Sequence, residues 1–171
     1  MGEDKTILSD HIISLLVLNH PGVLSKITSL ITRRGFNIDS IAAGPTKEKD
    51  MFRLTIIVKG DDRSIEQIQK QLYKIIDTVK VMTIHPARKV EREIGLIKLK
   101  APMGERNEVL QMVNVFKGQI LDSSTSGFVV EITGSSEKVD SFINLFPANQ
   151  IVEVARTGIV AMDRWEKNGA S

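Results

Sequence analysis

Apolar residues along this chain follow two rhythms: continuous or alternating runs, and recurrence at every third or fourth position. The first rhythm predicts strands and the second predicts helices. Residues 11–18 form a nearly continuous apolar run interrupted by Ser14, which indicates a well-buried strand. Residues 21–34 then place apolar side chains on one helical face, namely Val23, Leu24, Ile27, Leu30 and Ile31. Gly35 follows as a left-handed cap at the end of this helix.

Continued along the chain, the same patterns predict two successive sets of elements, each in the order βαββαβ. The first set has strands at 11–18, 36–43, 51–58 and 78–84, a helix at 21–34, and a helix from a capping box at Ser64 to Ile76. The second set has strands at 94–99, 119–122, 128–132 and 151–155, a helix at 105–116, and a helix from Ser135 or Ser136 to Phe146.

Each set has the pattern of a ferredoxin-like domain, in which two helices cover one face of a four-stranded antiparallel sheet. We therefore predict an α+β chain of two tandem βαββαβ domains. The first domain covers residues 1–84, a polar and mostly charged linker covers 85–93, and a C-terminal domain with a tail covers 94–171. Because two helices cover only one sheet face, a partner should cover the other face or the open edge strands. We expect an oligomer.

The composition limits the kinds of partner. A chain of 171 residues with 42% hydrophobic and 26% charged residues is ordinary for a globular protein of one or two domains. The net charge of +2 is too small to require nucleic acid or a membrane. The absence of cysteine fits a reducing compartment. The polar start Met1–Lys5 does not read as a secretory signal, so we expect a cytoplasmic protein.

The motifs of common catalytic and metal sites do not occur. His11, His20 and His85 lie far apart in sequence, so we predict no metal site. No nucleophile elbow, phosphate-binding loop or zinc-protease motif occurs, and no pair of carboxylates stands out. The third strands of the two sets offer only Phe52 and Phe128 for stacking on bases, which argues against RNA binding. No catalytic residue is predicted.

One stretch does suggest binding: Asn19-His20-Pro21-Gly22-Val23-Leu24, at the turn from the first strand to the first helix. Asn19 or His20 would precede the helix as its cap residue. Asn is a favourable N-cap, and proline is tolerated at the first helical position. Gly22 lets a ligand approach the backbone. The free amides and the helix dipole suit a carboxylate or phosphate. The same residues also fit a plain turn that starts a helix, and both interpretations stay open at this point.

This stretch, followed by Arg34-Gly35-Phe36-Asn37-Ile38 within a βαββαβ unit, resembles the ACT domain, a sensor of small molecules that commonly binds amino acids. Further segments, at residues 90–94, 116–122 and 151–158, are similar to the regulatory (small) subunit of acetolactate synthase. The resemblance extends over residues 10–162, in order and in register across both predicted domains.

The resemblance implies a subunit without catalytic activity that binds the catalytic (large) subunit, raises its activity and makes it sensitive to valine. Thiamine diphosphate, Mg²⁺ and FAD would belong to the large subunit, and none to this chain. The resemblance further implies a homodimer in which ACT domains pair side by side, with the amino acid at their interface. One protomer would contribute the loop after the first strand, and the other would contribute the start of the second strand.

Transferred to this sequence, the predicted valine site consists of Asn19, Gly22, Val23, Leu24, Asn37 and Ile38. Asn19 offers a donor and an acceptor to the charged ends of the ligand. Leu18, Leu24 and Ile38 would form a wall for a small branched side chain, although each also fits a core position. Leucine or isoleucine would compete, since one methylene in an apolar pocket changes binding by only about 1–3 kcal/mol.

Two classes of function stay open on the sequence. The favoured one is the regulatory subunit. The alternative is a free-standing amino-acid-binding ACT sensor that acts on another enzyme or on transcription. Co-purification with a catalytic partner distinguishes them.

Overall fold

The computed structural model describes residues 9–165, so the N-terminal stretch Met1–Lys5 lies outside the described residues. The chain divides into two compact units. One contains the residues up to Val90 and those from Ile159 on, and the other runs from Glu91 to Gly158. Each unit contains a βαββαβ series, so the predicted fold class, two ferredoxin-like domains in tandem, is confirmed.

The sheet of the first unit is antiparallel and has the strand order β2-β3-β1-β4. In this order β3 and β1 are central, and β2 and β4 are the edges. Its elements are β1 (Ser9–Leu18), α1 (Val23–Arg33), β2 (Ile38–Pro45), β3 (Met51–Gly60), α2 (Asp62–Leu72) and β4 (Thr78–Ile84).

Both helices of the first unit pack on the same face of its sheet. Side chains alternate along a strand, so every second residue of β1 and β3 points to this face. The predicted helical periodicity is confirmed, because Ile27 and Ile31 of α1 are fully buried there. Their partners in this core include Ile13, Leu15, Val17, Leu54, Ile56, Val58, Ile65, Ile68, Leu72 and Val81.

Part of the opposite face of the same sheet is covered by the C-terminal segment of the chain itself. Ile12, Ile57 and Ile84 form a second cluster with Ile159 and Ala161. These last two residues flank or belong to a short strand, β9 (Val160–Asp163). The expectation that this segment is the tail of the C-terminal domain is wrong, because its apolar side chains pack on the first unit. A partner was expected over this face or over the edge strands, and in this region the tail covers part of the face instead.

The second unit repeats the topology with the strand order β6-β7-β5-β8. Its elements are β5 (Lys89–Lys100), α3 (Arg106–Val115), β6 (Gln119–Ser124), β7 (Gly127–Gly134), α4 (Ser136–Ile143) and β8 (Ile151–Arg156). The predicted linker at 85–93 is instead a short 3-10 helix, Pro86–Arg88, followed by the first residues of β5. At the centre of this unit, Phe142 is fully buried and meets the rings of Phe116 and Phe146 edge to face, with centroids 5.4 and 5.1 Å away.

A buried ion pair explains why β5 extends into the predicted linker. Glu93 is 4% exposed and accepts two hydrogen bonds from Arg156 of β8, from Nε at 2.8 Å and from Nη2 at 2.7 Å. Ser136 Oγ donates a third at 2.6 Å, and Arg156 Nη1 also donates to Asp140 at 2.6 Å. Arg156 first, and then Ser136, hold the pKa of Glu93 below its usual value despite burial. The pair connects β5, β8 and α4.

The helix ends combine expected and unexpected caps. α2 begins after Asp61, whose side chain accepts the N–H of Ser64 at 2.9 Å, so the predicted capping box at Ser64 is wrong. Ser135 caps α4, so the first of the two predicted caps, Ser135 or Ser136, is confirmed. Gly35 follows α1 with φ 80°, which confirms the predicted left-handed glycine cap. None of the helices in residues 9–165 has the length and apolar character needed to cross a membrane.

Candidate functional site

The segment between β1 and α1, here called the β1–α1 corner (residues 19–24), makes a tight turn. Gly22 precedes the helix with φ 84° and ψ −1°, a left-handed conformation that costs glycine nothing. The N–H of Val23 donates to the carbonyl of His20 at 3.2 Å, and the N–H of Lys26 donates to that of Gly22 at 3.0 Å. The helix therefore begins at Val23, not at Pro21 as predicted, and its cap residue is Gly22, not Asn19 or His20.

The N-terminus of α1 is chemically suited to an anion. The first N–H groups of any helix have no partner inside it, and the helix dipole adds partial positive charge there. Gly22 has no side chain to cap them, and the first turn of α1 contains no acidic residue. Apart from its two chain neighbours, no atom of residues 9–165 lies within 4 Å of the place where Gly22 would carry a Cβ, so the approach to the backbone is open. The corner can receive a carboxylate or a phosphate.

The predicted site residues of this corner are not equally available to a ligand. Asn19 and Gly22 are exposed, and the side chain of Leu24 is 40% exposed. The backbone N–H of Asn19 donates to the carbonyl of Asp50 at 2.8 Å, which ties the corner to the loop before β3. Val23 is only 3% exposed and packs in the core beneath the helix. Its side chain supports the corner and does not face a ligand.

The other two predicted residues, Asn37 and Ile38, lie at the opposite end of the same sheet. Ile38 pairs with Val58 of β3, whereas Leu18, next to Asn19, pairs with Met51 of β3. Val58 and Met51 are seven positions apart, which corresponds to roughly 23 Å at about 3.3 Å per residue. A single chain therefore does not bring the two halves of the predicted site together.

The amide of Asn37 is already engaged locally, since its Nδ2 donates to Asp39 Oδ1 at 2.7 Å. Ile38 is half-buried and packs partly against the core beneath the helices. The side-chain oxygen of Asn37 and the accessible part of Ile38 are what this end of the sheet can offer to a ligand.

A carboxylate that the sequence analysis did not single out is attached to the β1–α1 corner. The side chain of Asp77 is 6% exposed and contacts His20 Nδ1 at 2.9 Å and Lys26 Nζ at 2.8 Å. Its backbone carbonyl also accepts the N–H of Leu18 at 2.8 Å. The hydrogen bond from Lys26, followed by that from His20, holds the pKa of Asp77 below its usual value. An ionised carboxylate only accepts hydrogen bonds, so Nδ1 of His20 carries the hydrogen.

The roles of these three residues have no signal in the sequence, for different reasons. His20 lies in the motif but is not among the predicted ligand contacts. Lys26 looks like an ordinary exposed helix residue, and no local pattern links it to Asp77, 51 positions later. Only the pairing of β1 with β4 brings the end of one strand next to the residue before the other.

The second unit has a topologically equivalent corner between β5 and α3, and its chemistry is different. Glu105 precedes α3, and Glu108 lies in its first turn. Arg106 turns away to the β6–β7 hairpin, where it donates to the carbonyl of Ser124 at 2.6 Å and lies 4.2 Å from the ring centre of Phe128. With two carboxylates of its own, this helix start is unsuited to a further anion.

Within residues 9–165, the structure contains no group of three or more histidine, cysteine, aspartate or glutamate side chains that could hold a metal ion.

Comparison with known proteins assigns a family to both units. Residues 13–80 match a family model described as "AHAS small subunit-like ACT domain", and residues 92–165 match one described as "Small subunit of acetolactate synthase". A protein of Methanothermobacter thermautotrophicus named "Probable acetolactate synthase small subunit" is 49% identical over 155 residues, 90% of this chain and 92% of that protein. The acetolactate synthase small subunit of Mycolicibacterium smegmatis is 40% identical over 154 residues, 90% of this chain and 91% of that one.

The structural comparison agrees with the sequence comparison. The crystal structure of the acetolactate synthase small subunit from Thermotoga maritima superimposes with a TM-score of 0.88 at 50% sequence identity. It covers 92% of this chain and 98% of that one.

Proposed function

The chain belongs to the family of acetolactate synthase small subunits, and from this premise we propose that it activates the catalytic subunit of the enzyme and makes it sensitive to valine. It is a regulatory subunit of the enzyme and not itself the catalyst. Its effector would be a branched-chain amino acid that binds at the β1–α1 corner and acts as a feedback inhibitor of branched-chain amino-acid biosynthesis. It would work in the cytoplasm, which the absence of cysteine fits.

The observation that carries the proposal is the uncapped, acid-free N-terminus of α1 behind the left-handed Gly22. An amino acid presents a carboxylate, which the amides and dipole of this helix start favour. Asn19 is exposed beside it and offers an oxygen to the ammonium group. Leu24, which is 40% exposed, and the half-buried Leu18 offer apolar surface to a short branched side chain.

The separation between Asn19 and Asn37 supports a dimeric site. β2 is an edge strand, so its outer backbone groups are open to pairing with a second copy. In an antiparallel pair of β2 strands related by a two-fold axis, the Ile38 end of one lies beside the Pro45 end of the other. Pro45 pairs with Phe52, which pairs with Val17 near the β1–α1 corner. Such a pair brings Asn37 and Ile38 of one protomer to Asn19 and Gly22 of its partner.

The chemistry of acetolactate formation would remain with the catalytic subunit. We propose that thiamine diphosphate, Mg²⁺ and FAD are bound there and that this chain holds none of them. Its contribution is then conformational: it binds the catalytic subunit, and the effector changes the balance between states of the complex that differ in activity.

The decisive experiment measures acetolactate formation by the purified catalytic subunit, with and without this chain, across a valine titration. We expect a higher rate with the chain at zero valine and a lower rate as valine rises. The chain alone, supplied with pyruvate, thiamine diphosphate, Mg²⁺ and FAD, should form no acetolactate. Turnover by the chain alone would overturn the proposal, and an unchanged rate of the catalytic subunit would favour a free-standing sensor.

The dimer is tested with two variants, each of which places a lysine on a different edge strand of the first sheet. Ile41, 38% exposed on β2, is replaced by lysine, and Val79, 48% exposed on the opposite edge strand β4, serves as the matched control. A charged side chain on an edge strand disfavours strand pairing. In sedimentation at micromolar concentration, the parent and Val79→Lys should be dimers and Ile41→Lys a monomer with weakened valine binding. The reverse outcome would assign the dimer to β4 and contradict the shared site.

A further inference from the structure

We infer that Asp77 is the positioning residue of the effector site: it holds the β1–α1 corner in the conformation that receives the amino acid, and it does so together with Lys26 and His20. This inference rests on the proposed function, because it deepens the description of the same site. It adds three residues that lie outside the predicted ligand contacts.

Asp77 is attached to the corner at three points along the chain. Its backbone carbonyl binds the N–H of Leu18, where β1 ends, and Oδ1 binds Nδ1 of His20 within the turn. Oδ2 binds Nζ of Lys26 in the first turns of α1. The attachments therefore precede, interrupt and follow the segment that contains Asn19, Gly22 and Leu24.

The corner needs such an attachment because its own restraints are weak. Gly22 populates left- and right-handed conformations about equally in a free chain, and it has no side chain to bind the helix start. A loop that must be ordered when its ligand arrives loses affinity, whereas one that is already ordered does not. The buried carboxylate of Asp77, bonded to Lys26 and His20, orders the corner before the ligand arrives.

Asp77 itself does not fit the role of a ligand contact. Each of its carboxylate oxygens is occupied by a side chain of the same chain, and the group is 6% exposed. The charge of Lys26 offsets its negative charge, which would otherwise oppose an effector carboxylate at the helix start. The pair of Glu66 and Lys70 on α2 provides a contrast: both side chains are about 60% exposed, four residues apart, and hold no turn.

Four substitutions in the full chain, reconstituted with the catalytic subunit, test the inference. Lys26→Met removes the ammonium group and keeps the apolar stem, and Lys26→Arg keeps the charge. Asp77→Asn keeps the shape and removes the charge. Lys70→Met is the matched control on the exposed ion pair. The measured quantities are the dissociation constant of valine by calorimetry and the valine concentration at half inhibition.

We expect valine to bind about tenfold more weakly to Lys26→Met and to Asp77→Asn than to the parent. The double variant Lys26→Met/Asp77→Asn should bind valine no more weakly than whichever single variant binds it less tightly, because both changes break the same ion pair. Lys26→Arg should recover affinity to within about threefold of the parent, and Lys70→Met should match it. Amide exchange at residues 22–25 should quicken in the first two variants while that of β3 stays unchanged.

Folded Lys26→Met and Asp77→Asn proteins that bind valine within twofold of the parent would overturn the inference and leave the proposed function standing. A parent chain that binds none of valine, leucine and isoleucine would overturn both. Should Asp77→Asn fail to fold, Lys26→Met decides alone, since the side chain of Lys26 is 54% exposed and its removal leaves the core intact.

Discussion

The two units share one topology, yet they treat the same position in opposite ways. In each, the first strand runs into a corner and then into a helix whose start has no side-chain cap, whereas the second helix is capped by Asp61 or Ser135. At the first corner a left-handed glycine precedes the helix, and the first turn of the helix contains no acidic residue. At the second corner the helix start meets Glu105 and Glu108. The β1–α1 corner is free for an external carboxylate, and the β5–α3 corner supplies its own.

The difference shows that the fold provides the position and a few residues provide the chemistry. A βαββαβ unit always presents a helix N-terminus after its first strand, and that dipole attracts whatever anion is nearest. If the proposed function holds, we expect the first unit to bind the effector and the second unit to respond to it only through the assembled protein.

The largest expected effect concerns the two cores. Ile27 and Phe142 are both fully buried, one in each unit. Truncation to alanine should cost about 2–5 kcal/mol for Ile27→Ala and about 3–5 kcal/mol for Phe142→Ala. Unfolding in guanidinium should show the loss in the unit that carries the change. Valine affinity at low denaturant should fall only in Ile27→Ala, and an equal fall in both variants would contradict two separate cores.

Next is the charge at the β1–α1 corner, tested with Gly22→Asp. Two like charges about 4 Å apart repel by about 4 kcal/mol at an effective dielectric near 20. Solvent and the effector's ammonium reduce this to roughly 2 kcal/mol, about a 30-fold loss of valine affinity. Calorimetry and the inhibition curve of the reconstituted enzyme measure it.

Two controls separate charge from strain at this corner. Gly22→Asn adds a side chain of the same shape at the same φ of 84° without charge, so it should weaken valine binding less than Gly22→Asp does. Gly104→Asp adds the same charge in open space near the corner of the second unit and should leave valine binding unchanged. If Gly22→Asp binds valine like the parent, the site assigned to residues 19–24 is wrong.

An acid-dependent effect of about 1–3 kcal/mol is expected from Glu93 in the second unit. Arg156 lowers the pKa of Glu93 in the folded state, so the pair stabilises the fold above the unfolded-state pKa, about 4.3, and this contribution is lost as pH falls below it. Glu93→Gln should be less stable than the parent at pH 7, and the gap should narrow towards pH 3. Urea unfolding at both pH values measures this, and a constant gap would contradict the linkage.

The smallest effect concerns a cap. Ser135 accepts the N–H of Lys138 at 3.3 Å, and Ser135→Ala should destabilise the second unit by about 1 kcal/mol. Thermal unfolding measures the loss. Valine inhibition should not change, and a shifted inhibition curve would show that α4 takes part in sensing.

The sequence predicted well what depends on neighbours along the chain. Ile27 and Ile31 are buried because a helix repeats every 3.6 residues, and Gly35 caps α1 because only glycine adopts its conformation freely. The order of elements, and from it the fold, followed from such local patterns. So did the turn that carries Asn19 and Gly22.

Features that depend on distant pairing were not predictable in this way. Glu93 looked like part of a charged linker, because its partner Arg156 lies 63 residues later and burial of a carboxylate requires that partner. Asp77 had no local signal for the same reason. The prediction placed the start of α1 at Pro21 instead of Val23, because Asn19, Pro21 and Gly22 each favour a helix start at a slightly different position. Only the hydrogen bond of Val23 to His20 decides among them.

The position of β9 has a consequence for the order in which the protein is made. Ile12, Ile57 and Ile84 leave the ribosome before Ile159 and Ala161, whose side chains cover them. The second unit, residues 91–158, is synthesised in between and can fold while the sheet of the first unit still has an apolar surface open to water. The apolar face of the first sheet is therefore covered only after the second unit has been synthesised, and a nascent chain stopped before residue 159 carries that face without its cover.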